Sequence, residues 1–249
     1  MKYKLGIALG GGGARGFAHL GAIKALAEKG LEADIYAGTS AGAIVGSFLA
    51  SGLAPDEVFE LMHKNKFSDY TKLHLPIDGF MSLEGMQAKL ETYIKAKNLE
   101  DLNKPLIVCA SNINTGKVAY FEKGKLSSIV AASSSIPVLF SPIKIGKHQY
   151  LDGGVFDNVP VAALRNVSDK VIAINIMPLE TNSNVKNLMD VALRTFQMSV
   201  EANTIYSRKS ADLFIEMEGI QKFGVLSSAN AQALFDLGYS YTKALDIEL

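Results

Sequence analysis

The sequence predicts an α/β fold of three layers, in which a mostly parallel central sheet is flanked by helices. Short apolar segments typical of buried strands alternate with segments whose apolar residues recur at helical spacing. Glycine-rich turns follow the first two of these strands. The chain has 249 residues, of which 48% are hydrophobic. We therefore expect residues 1–249 to form a single domain with a substantial core.

The N-terminal half begins with two strand–turn–helix units. The segment "YKLGIAL" predicts the first strand, and a helix over 17–29 follows the glycines because apolar residues recur there every third position. The segment "DIYAG" predicts the second strand, and a helix of small residues follows over 41–51. Pro55 is typical of a first helical position, and the pattern over 83–97 predicts one more helix.

The C-terminal half continues the alternation. The segments "PLIVCASNI", "KVAYFEK" and "KVIAINI" predict strands, as does the stretch 143–151. Helices are predicted over 126–134 and over 229–247. A long amphipathic helix is expected to bury one face, formed by Leu188, Ala192, Phe196 and Val200.

Composition excludes several classes of function. The 25 basic and 25 acidic residues balance, so nucleic-acid binding by bulk charge is not expected. Cys109 is the one cysteine; it excludes an intrachain disulfide and fits a buried apolar position. The apolar runs "LGIAL" and "AGAIVGSFLA" are too short for a signal peptide or a membrane span. We expect a soluble, cytoplasmic protein.

The glycines after the first strand permit two interpretations. Gly11, Gly13 and Gly16 spell G-x-G-x-x-G, the fingerprint of a dinucleotide-binding turn. The acidic residue that would bind the ribose, Asp34, begins the second strand instead of ending it. The other interpretation is that the consecutive backbone amides stabilise a developing oxyanion.

The second turn favours the oxyanion interpretation. Gly38, Ser40 and Gly42 spell G-x-S-x-G between a predicted strand and a predicted helix, which is the context of a nucleophile elbow. A serine that merely caps the helix is the structural alternative. In a parallel sheet the two turns emerge at the same edge, so the glycine amides and the Ser40 hydroxyl would meet there.

A base for Ser40 is the remaining requirement. The four histidines are His19, His63, His74 and His148. None follows Asp152, which excludes the order Ser, acid, His. In "YLDGGVFDNVP" Asp152 follows a strand and precedes two glycines; it could serve as the base directly, or it could be a turn residue.

Three segments in order, "GGGGARGFAHLG", "GTSAGAIVG" and "YLDGGVFDNVP", resemble the patatin-like phospholipases. The segment "ASSSIPVLFSP" is also similar, and the likeness covers roughly residues 5–178. The resemblance implies that Ser40 is the nucleophile and Asp152 the general base of a Ser–Asp dyad. It further implies an oxyanion loop and supporting positions, without a metal or cofactor. The loop would be Gly11, Gly12 and Gly13, and the supporting residues Arg15, Gly38, Gly42 and Gly153.

The expected function is serine-dependent hydrolysis of lipid or other acyl esters through an acyl-enzyme. A non-catalytic lipid- or acyl-binding regulator on the same fold and a nucleotide-dependent oxidoreductase are the alternatives.

The segment 66–82 carries many apolar residues without clear periodicity. It is interpreted either as a segment packed on the core or as a mobile flap over the cleft that contacts acyl chains or transiently a membrane surface. The sequence identifies neither the lipid that would be hydrolysed nor the oligomeric state of the protein.

Overall fold

The strands and helices follow the predicted alternation along the chain. The computed structural model describes residues 2–64, 72–73, 81–181 and 184–249. The strands are β1 (Tyr3–Leu9), β2 (Ile35–Thr39), β3 (Lys72–Leu73), β4 (Met81–Ser82), β5 (Leu106–Asn112), β6 (Lys117–Phe121), β7 (Ile143–Ile145), β8 (His148–Asp152), β9 (Ser168–Asn175) and β10 (Leu213–Glu216). The helices are α1 (Phe17–Glu28), α2 (Ala41–Ala50), α3 (Pro55–His63), α4 (Glu84–Tyr93), α5 (Leu126–Ser133), α6 (Ala162–Arg165), α7 (Leu188–Ser210) and α8 (Ala231–Ala244).

The main sheet has a parallel centre and an antiparallel edge. Its strand order is β10-β9-β1-β2-β5-β8-β7, and β6 also pairs with β5. The pairs from β10 to β5 are parallel, whereas β8 pairs antiparallel with β5, and β7 pairs antiparallel with β8. The short strands β3 and β4 form a separate antiparallel pair. The mostly parallel sheet is therefore confirmed, with antiparallel strands carrying the chain to Asp152.

Helices cover both faces of this sheet, as the three-layer prediction requires. Along β1 and β9, alternate residues enter different apolar clusters, which is the period-two pattern of a strand buried on both sides. Ile7 and Ile172 contribute to the larger cluster, with residues of α1 to α5 and α8. Ala8 and Ala173 contribute to the smaller one, which includes Leu164 of α6.

Three predicted elements differ from the observed ones, and β3, β4, β10 and α6 were not predicted. The helix expected over 83–97 ends at Tyr93, where the backbone turns extended. The single strand expected over 143–151 is a hairpin, because Gly146 adopts φ 60° between β7 and β8. Leu188 was expected on the buried face of α7, but it is exposed, while Phe196 and Val200 are buried. Among the described residues, no helix is both long and apolar enough to cross a bilayer.

Candidate active site

The turn between β2 and α2 holds Ser40 in a strained conformation. Ser40 has φ 53° and ψ −120°, a region that residues with a side chain rarely adopt. The small neighbours are needed here: a Cβ atom at Gly42 would lie 2.0 Å from the Leu9 carbonyl oxygen, and one at Gly38 would lie 2.5 Å from that of Gly42. The sequence G-x-S-x-G therefore forms a sharp elbow that presents Ser40 at the end of the parallel strands.

The Ser40 backbone is fixed by a serine from a distant helix. The Ser40 N–H donates to Ser133 Oγ at 2.9 Å, and the Ser133 hydroxyl donates to the Cys109 carbonyl at 2.6 Å. Ser133 is fully buried at the end of α5. The sequence analysis assigned it no role, although it lies in the segment "ASSSIPVLFSP". The Ser40 N–H is therefore engaged and is not free to bind a ligand.

Strand register explains how Asp152 reaches Ser40. Thr39 is the partner of Cys109 across β2 and β5, and the next residue of β5, Ala110, is the partner of Asp152 across β5 and β8. Asp152 therefore lies level with the elbow, two strands away in the sheet. Gly153 follows in close contact with β5, since a Cβ atom there would lie 2.5 Å from the Cys109 carbonyl oxygen.

The Asp152 carboxyl group is almost completely buried, with 1% exposure. Its Oδ1 accepts a hydrogen bond from the Gly154 N–H at 2.8 Å. Among the described residues, Oδ2 has no hydrogen bond of regular geometry. Burial raises the pKa of Asp152 to about 7, although the nearby Ser40 hydroxyl and the Gly154 amide both favour the ionised form. The carboxyl group is thus a stronger base than an exposed aspartate.

The glycine turn offers fewer free amides than the sequence predicts. The Gly11 N–H donates to the Asn158 carbonyl at 3.1 Å, so it is already engaged. The N–H groups of Gly12 and Gly13 have no hydrogen-bond partner among the residues that the structure describes. These two glycines line the cavity that also contains Ser40 and Asp152. Two of the three predicted amides therefore remain available to a ligand at this site.

Arg15 is directed away from the reacting groups. Its guanidinium donates to the carbonyl oxygens of Phe223, Gln221 and Ile176, at 2.8, 3.2 and 3.4 Å. Burial lowers the pKa of Arg15, and an attraction to Glu180 opposes that effect. The Ala14 N–H also donates to the Val225 carbonyl, at 2.8 Å. Arg15 therefore ties the segment 220–226 to the glycine turn.

Two further polar residues, Asn158 and Asp157, support the site and were missed by the sequence analysis. The Asn158 side chain donates to the Gly11 carbonyl at 3.4 Å, and its N–H donates to Asn203 of α7 at 2.9 Å. The Asp157 carbonyl accepts from the Thr39 hydroxyl at 2.9 Å, which holds the end of β2. Burial raises the pKa of Asp157 to about 6. Both follow Asp152 within "DGGVFDN", so proximity to that motif was the available signal.

Two cavities meet at Ser40. The first, of about 140 Å³, has a predominantly apolar lining and is called the apolar cavity below. Its apolar wall residues include Phe17, Ile44, Met62, Leu83, Met86 and Phe140. The second, of about 30 Å³, contains the glycine turn, Asp152 and Asn158, and is called the glycine cavity. Val225 and Leu226 line both cavities. The Ser40 hydroxyl group therefore stands between an apolar space and the polar groups able to act on an ester.

The described histidines lie apart from these groups. His19 is fully buried in α1, where Nε2–H donates to the Gly10 carbonyl at 2.8 Å, and burial lowers its pKa to about 4. His63 stacks on Phe59, and His148 begins β8. None of the three lines either cavity. His74 and most of the segment 66–82 lie outside the described residues.

Comparisons with known proteins identify relatives of this chain. A family model described as patatin-like phospholipase matches residues 7–165. An NTE family protein of Mycobacterium tuberculosis is 31% identical over 180 residues, which make up 70% of this chain and 49% of that protein. Lysophospholipase NTE1 of Meyerozyma guilliermondii is 26% identical over 274 residues, or 97% of this chain and 19% of that protein.

Two further comparisons concern a mammalian relative and the fold. Patatin-like phospholipase domain-containing protein 7 of Rattus norvegicus is 32% identical over 182 residues, or 69% of this chain and 13% of that protein. The crystal structure of VipD from Legionella pneumophila superposes with a TM-score of 0.52 at 15% identity, covering 97% of this chain and 66% of that one. The chain spans about half the length of its mycobacterial relatives. On the extent of the family match, this chain belongs to the patatin-like phospholipase family.

Proposed function

We propose that the chain hydrolyses carboxylic esters of lipids, with Ser40 as nucleophile and Asp152 as general base. The observation that carries this proposal is the position of Ser40, on a strained elbow between the apolar cavity and the glycine cavity. A nucleophile, a base of raised pKa and two unpaired amides converge on one small space. That combination supports acyl transfer better than passive lipid binding.

The proposed reaction has two halves. Asp152 accepts the proton of the Ser40 hydroxyl while Ser40 Oγ forms a bond to the acyl carbon. The Gly12 and Gly13 amides donate to the oxyanion, and the N-terminal end of α2 adds a favourable dipole. The ester bond then breaks, and the leaving alcohol takes the proton from Asp152. A water molecule next attacks the acyl-enzyme with Asp152 again as base, which releases the fatty acid and restores Ser40.

The apolar cavity supports an acyl chain as the group bound beside Ser40. Its volume of about 140 Å³ is close to that of an engineered apolar cavity that holds benzene, so a short apolar group fits within it. The names of the fungal and rat relatives, a lysophospholipase and a phospholipase-domain protein, support lipid esters as the substrate class. We further propose that residues 1–249 form one catalytic domain. We also predict that this domain makes transient contact with a membrane surface.

Serine-directed labelling and paired variants test the proposal. We expect a fluorophosphonate probe to label the wild-type chain but not Ser40→Ala. Ser40→Ala and Asp152→Asn should each lower hydrolysis of a soluble p-nitrophenyl ester and of a lysophospholipid by at least about 1,000-fold, and the double variant should be little worse than either. Asp157→Asn is the matched control, because its buried side chain lines neither cavity and the variant keeps the backbone carbonyl that binds Thr39.

The outcomes separate the alternatives. A folded wild-type chain that binds lysophospholipid but shows no turnover and no labelling would indicate a lipid-binding regulator. A single histidine variant as damaging as Asp152→Asn, with its melting temperature unchanged, would show that the dyad is assigned wrongly.

A further inference from the structure

The outer face of α7 is a continuous apolar stripe. Leu188, Val191, Thr195, Met198, Ala202 and Ile205 are all exposed, and they follow one another at intervals of three, four, three, four and three residues. Leu188 is 82% exposed and Met198 is 56% exposed. We call these six residues the outer stripe. Single exposed apolar residues are ordinary, but a row that extends along most of a 23-residue helix is not.

The spacing is that of a coiled-coil seam. Intervals alternating between three and four keep every residue of the stripe on one line of the helix, so that it can face a second helix throughout. From Leu188 to Ile205 the stripe is about 26 Å long. The opposite face of α7 is already used, because Phe196 and Val200 pack in the interior. The inner face of α7 therefore packs within the chain, whereas the outer face stays exposed among the described residues.

The two edges of the stripe differ in charge. One edge carries Arg194, Glu201 and Arg208, each seven residues from the next. Arg208 pairs with Glu216, whereas neither Arg194 nor Glu201 forms an ion pair among the described residues. Arg194 donates to the Glu180 carbonyl and to the Gln197 side chain, and Glu201 accepts from the Leu179 N–H at 3.4 Å. The other edge carries the uncharged residues Ala192, Ser199 and Tyr206.

We infer that the outer stripe is a homodimer interface, in which α7 of two copies pairs antiparallel about a two-fold axis. An axis between Thr195 and Met198 places Leu188 opposite Ile205, Val191 opposite Ala202, and Thr195 opposite Met198 of the other copy. The latter two layers join a larger side chain to a smaller one, which suits close packing.

The charges complement one another in the same register. Arg194 of each copy comes beside Glu201 of the other, so the axis creates the ion pair twice, at the edge positions that set orientation in coiled coils.

A bilayer is the competing partner for an apolar helix face. Helices that lie on membranes carry mainly lysine and arginine beside the apolar face, whereas here an acidic residue stands beside the stripe and a threonine lies within it.

The contact area suggests a weak dimer. Two helices meeting over about 26 Å bury less surface than a standard stable interface. We therefore expect a dissociation constant that is roughly micromolar, with monomer and dimer in measurable exchange.

Sedimentation velocity of the full chain from roughly 1 to 100 µM tests the inference. We expect the wild type to shift from monomer to dimer and Met198→Glu to remain monomeric. Arg194→Glu and Glu201→Arg should each weaken the dimer at least about tenfold, because each places like charges together, and the double variant should recover most of the loss. Ile113→Glu is the control, since Ile113 is exposed far along the chain from α7. Circular dichroism melting verifies that each variant is folded.

Cysteine cross-linking tests the orientation. With copper phenanthroline as oxidant, the Leu188→Cys/Ile205→Cys variant should form a covalent dimer, while Leu188→Cys alone should not, because the two copies of residue 188 would lie about 26 Å apart. Cross-linking of the single variant would overturn the antiparallel pairing. A wild type that stays monomeric, or a dimer unaffected by Met198→Glu, would overturn the interface. Monomeric wild type that binds phosphatidylglycerol vesicles, with binding lost in Met198→Glu, would assign the stripe to membranes.

Discussion

At the scale of single residues, burial makes Asp152 the stronger base that the proposed reaction needs, at a cost to the stability of the fold. A carboxylate in water has a pKa of about 3.9 and is a weak base. Removal from water disfavours the charged form and raises the pKa of Asp152 to about 7. The group is then suited to accept a proton near neutral pH, but the ionised form that catalysis needs is the one that the buried site disfavours.

This pKa predicts how activity depends on pH. The base must be ionised to accept the Ser40 proton, so kcat/KM for a neutral p-nitrophenyl ester should rise tenfold per pH unit below about pH 7 and level off above it. Measured pH profiles between pH 5 and 9, corrected for spontaneous hydrolysis, give the midpoint. A midpoint near 4 would mean that Asp152 is not desolvated when it acts.

The same pKa predicts a pH-dependent stability. Between about pH 4 and 7 the folded chain retains a proton on Asp152 that the unfolded chain has released, so this residue lowers the free energy of unfolding as pH rises. Asp152→Asn removes that loss, and should stabilise the chain at pH 8 by up to about 4 kcal/mol and far less at pH 5. Thermal melts at both pH values measure it, with the exposed Asp56→Asn as control. If Asp152→Asn changed the stability equally at pH 5 and pH 8, that result would contradict the raised pKa of the buried Asp152 carboxyl group.

Gly12→Ala tests the oxyanion amides. A Cβ atom at Gly12 would lie 2.7 Å from the Ile176 side chain, so the turn must shift slightly and the amides with it. We expect kcat to fall by roughly 100-fold with little change in KM, because the amides contact the developing charge more strongly than the bound ester. Steady-state kinetics on one soluble ester give both constants. Circular dichroism melting verifies that the variant is folded, and a variant that keeps its activity but loses nucleotide binding would contradict the oxyanion role.

Short motifs predict candidate catalytic residues more readily than they predict the residues that hold those candidates in place. Ser40 and the glycine turn belong to short motifs whose strand–turn–helix context is visible along the chain. Ser133 is 93 positions from Ser40, and Asn158 is 147 positions from Gly11. Contacts at such distances depend on strand order and register, which local spacing does not encode. For the same reason the sequence did not reveal that the Gly11 amide is engaged by Asn158.

At the scale of elements, local patterns predicted where helices and strands lie but not always which face is buried. The expected face of α7 runs through Phe196 and Val200, which are buried, yet it also included Leu188, which is exposed at the first turn. Hydrophobicity alone cannot distinguish a residue that packs on the sheet from one on an outer stripe. The hairpin of β7 and β8 interrupts the single strand predicted over 143–151, although the lysine, glycine and glutamine around His148 are typical of a hairpin turn.

At the scale of an element, the segment 220–226 is held in place by Arg15. It supplies Val225 and Leu226 to both cavities, and Arg15 holds it through the carbonyls of Phe223 and Gln221. Loss of the guanidinium would leave carbonyl groups without their donor and release this wall.

Arg15→Met should therefore lower kcat/KM for long-chain esters more than for short ones, and should make 220–226 exchange amide hydrogens faster. Arg15→Lys should be intermediate, because an ammonium keeps the charge but cannot serve the same carbonyls in a planar fork. Hydrogen exchange and paired kinetics measure the two effects, with the exposed Arg208→Met as control. Equal losses on all esters with unchanged exchange would place Arg15 beside the substrate instead.

At the scale of the whole molecule, the parallel strands deliver the elbow and the glycine turn to one edge, and the antiparallel strands return Asp152 to the same level. The apolar cavity opens beside them. Met62 near the end of α3 and Leu83 just before α4 both line it, and they stand on either side of the segment 66–82. The described residues that flank the segment along the chain therefore line the cavity, while most of the segment lies outside the described residues and its role as a flap stays a prediction.

Replacing apolar residues of the segment with serine tests that interpretation. The triple variant Leu73→Ser, Leu75→Ser and Phe80→Ser should reduce hydrolysis of a long-chain lysophospholipid by roughly tenfold or more and change that of a short soluble ester much less. The reason is that only a long acyl chain would extend from the cavity to the flap, where each buried methylene contributes about 0.8 kcal/mol. Paired kinetics on the two substrates measure the ratio, and Ile113→Ser controls for loss of an exposed apolar side chain. Equal loss on both substrates, with a lower melting temperature, would show instead that these residues belong to the core.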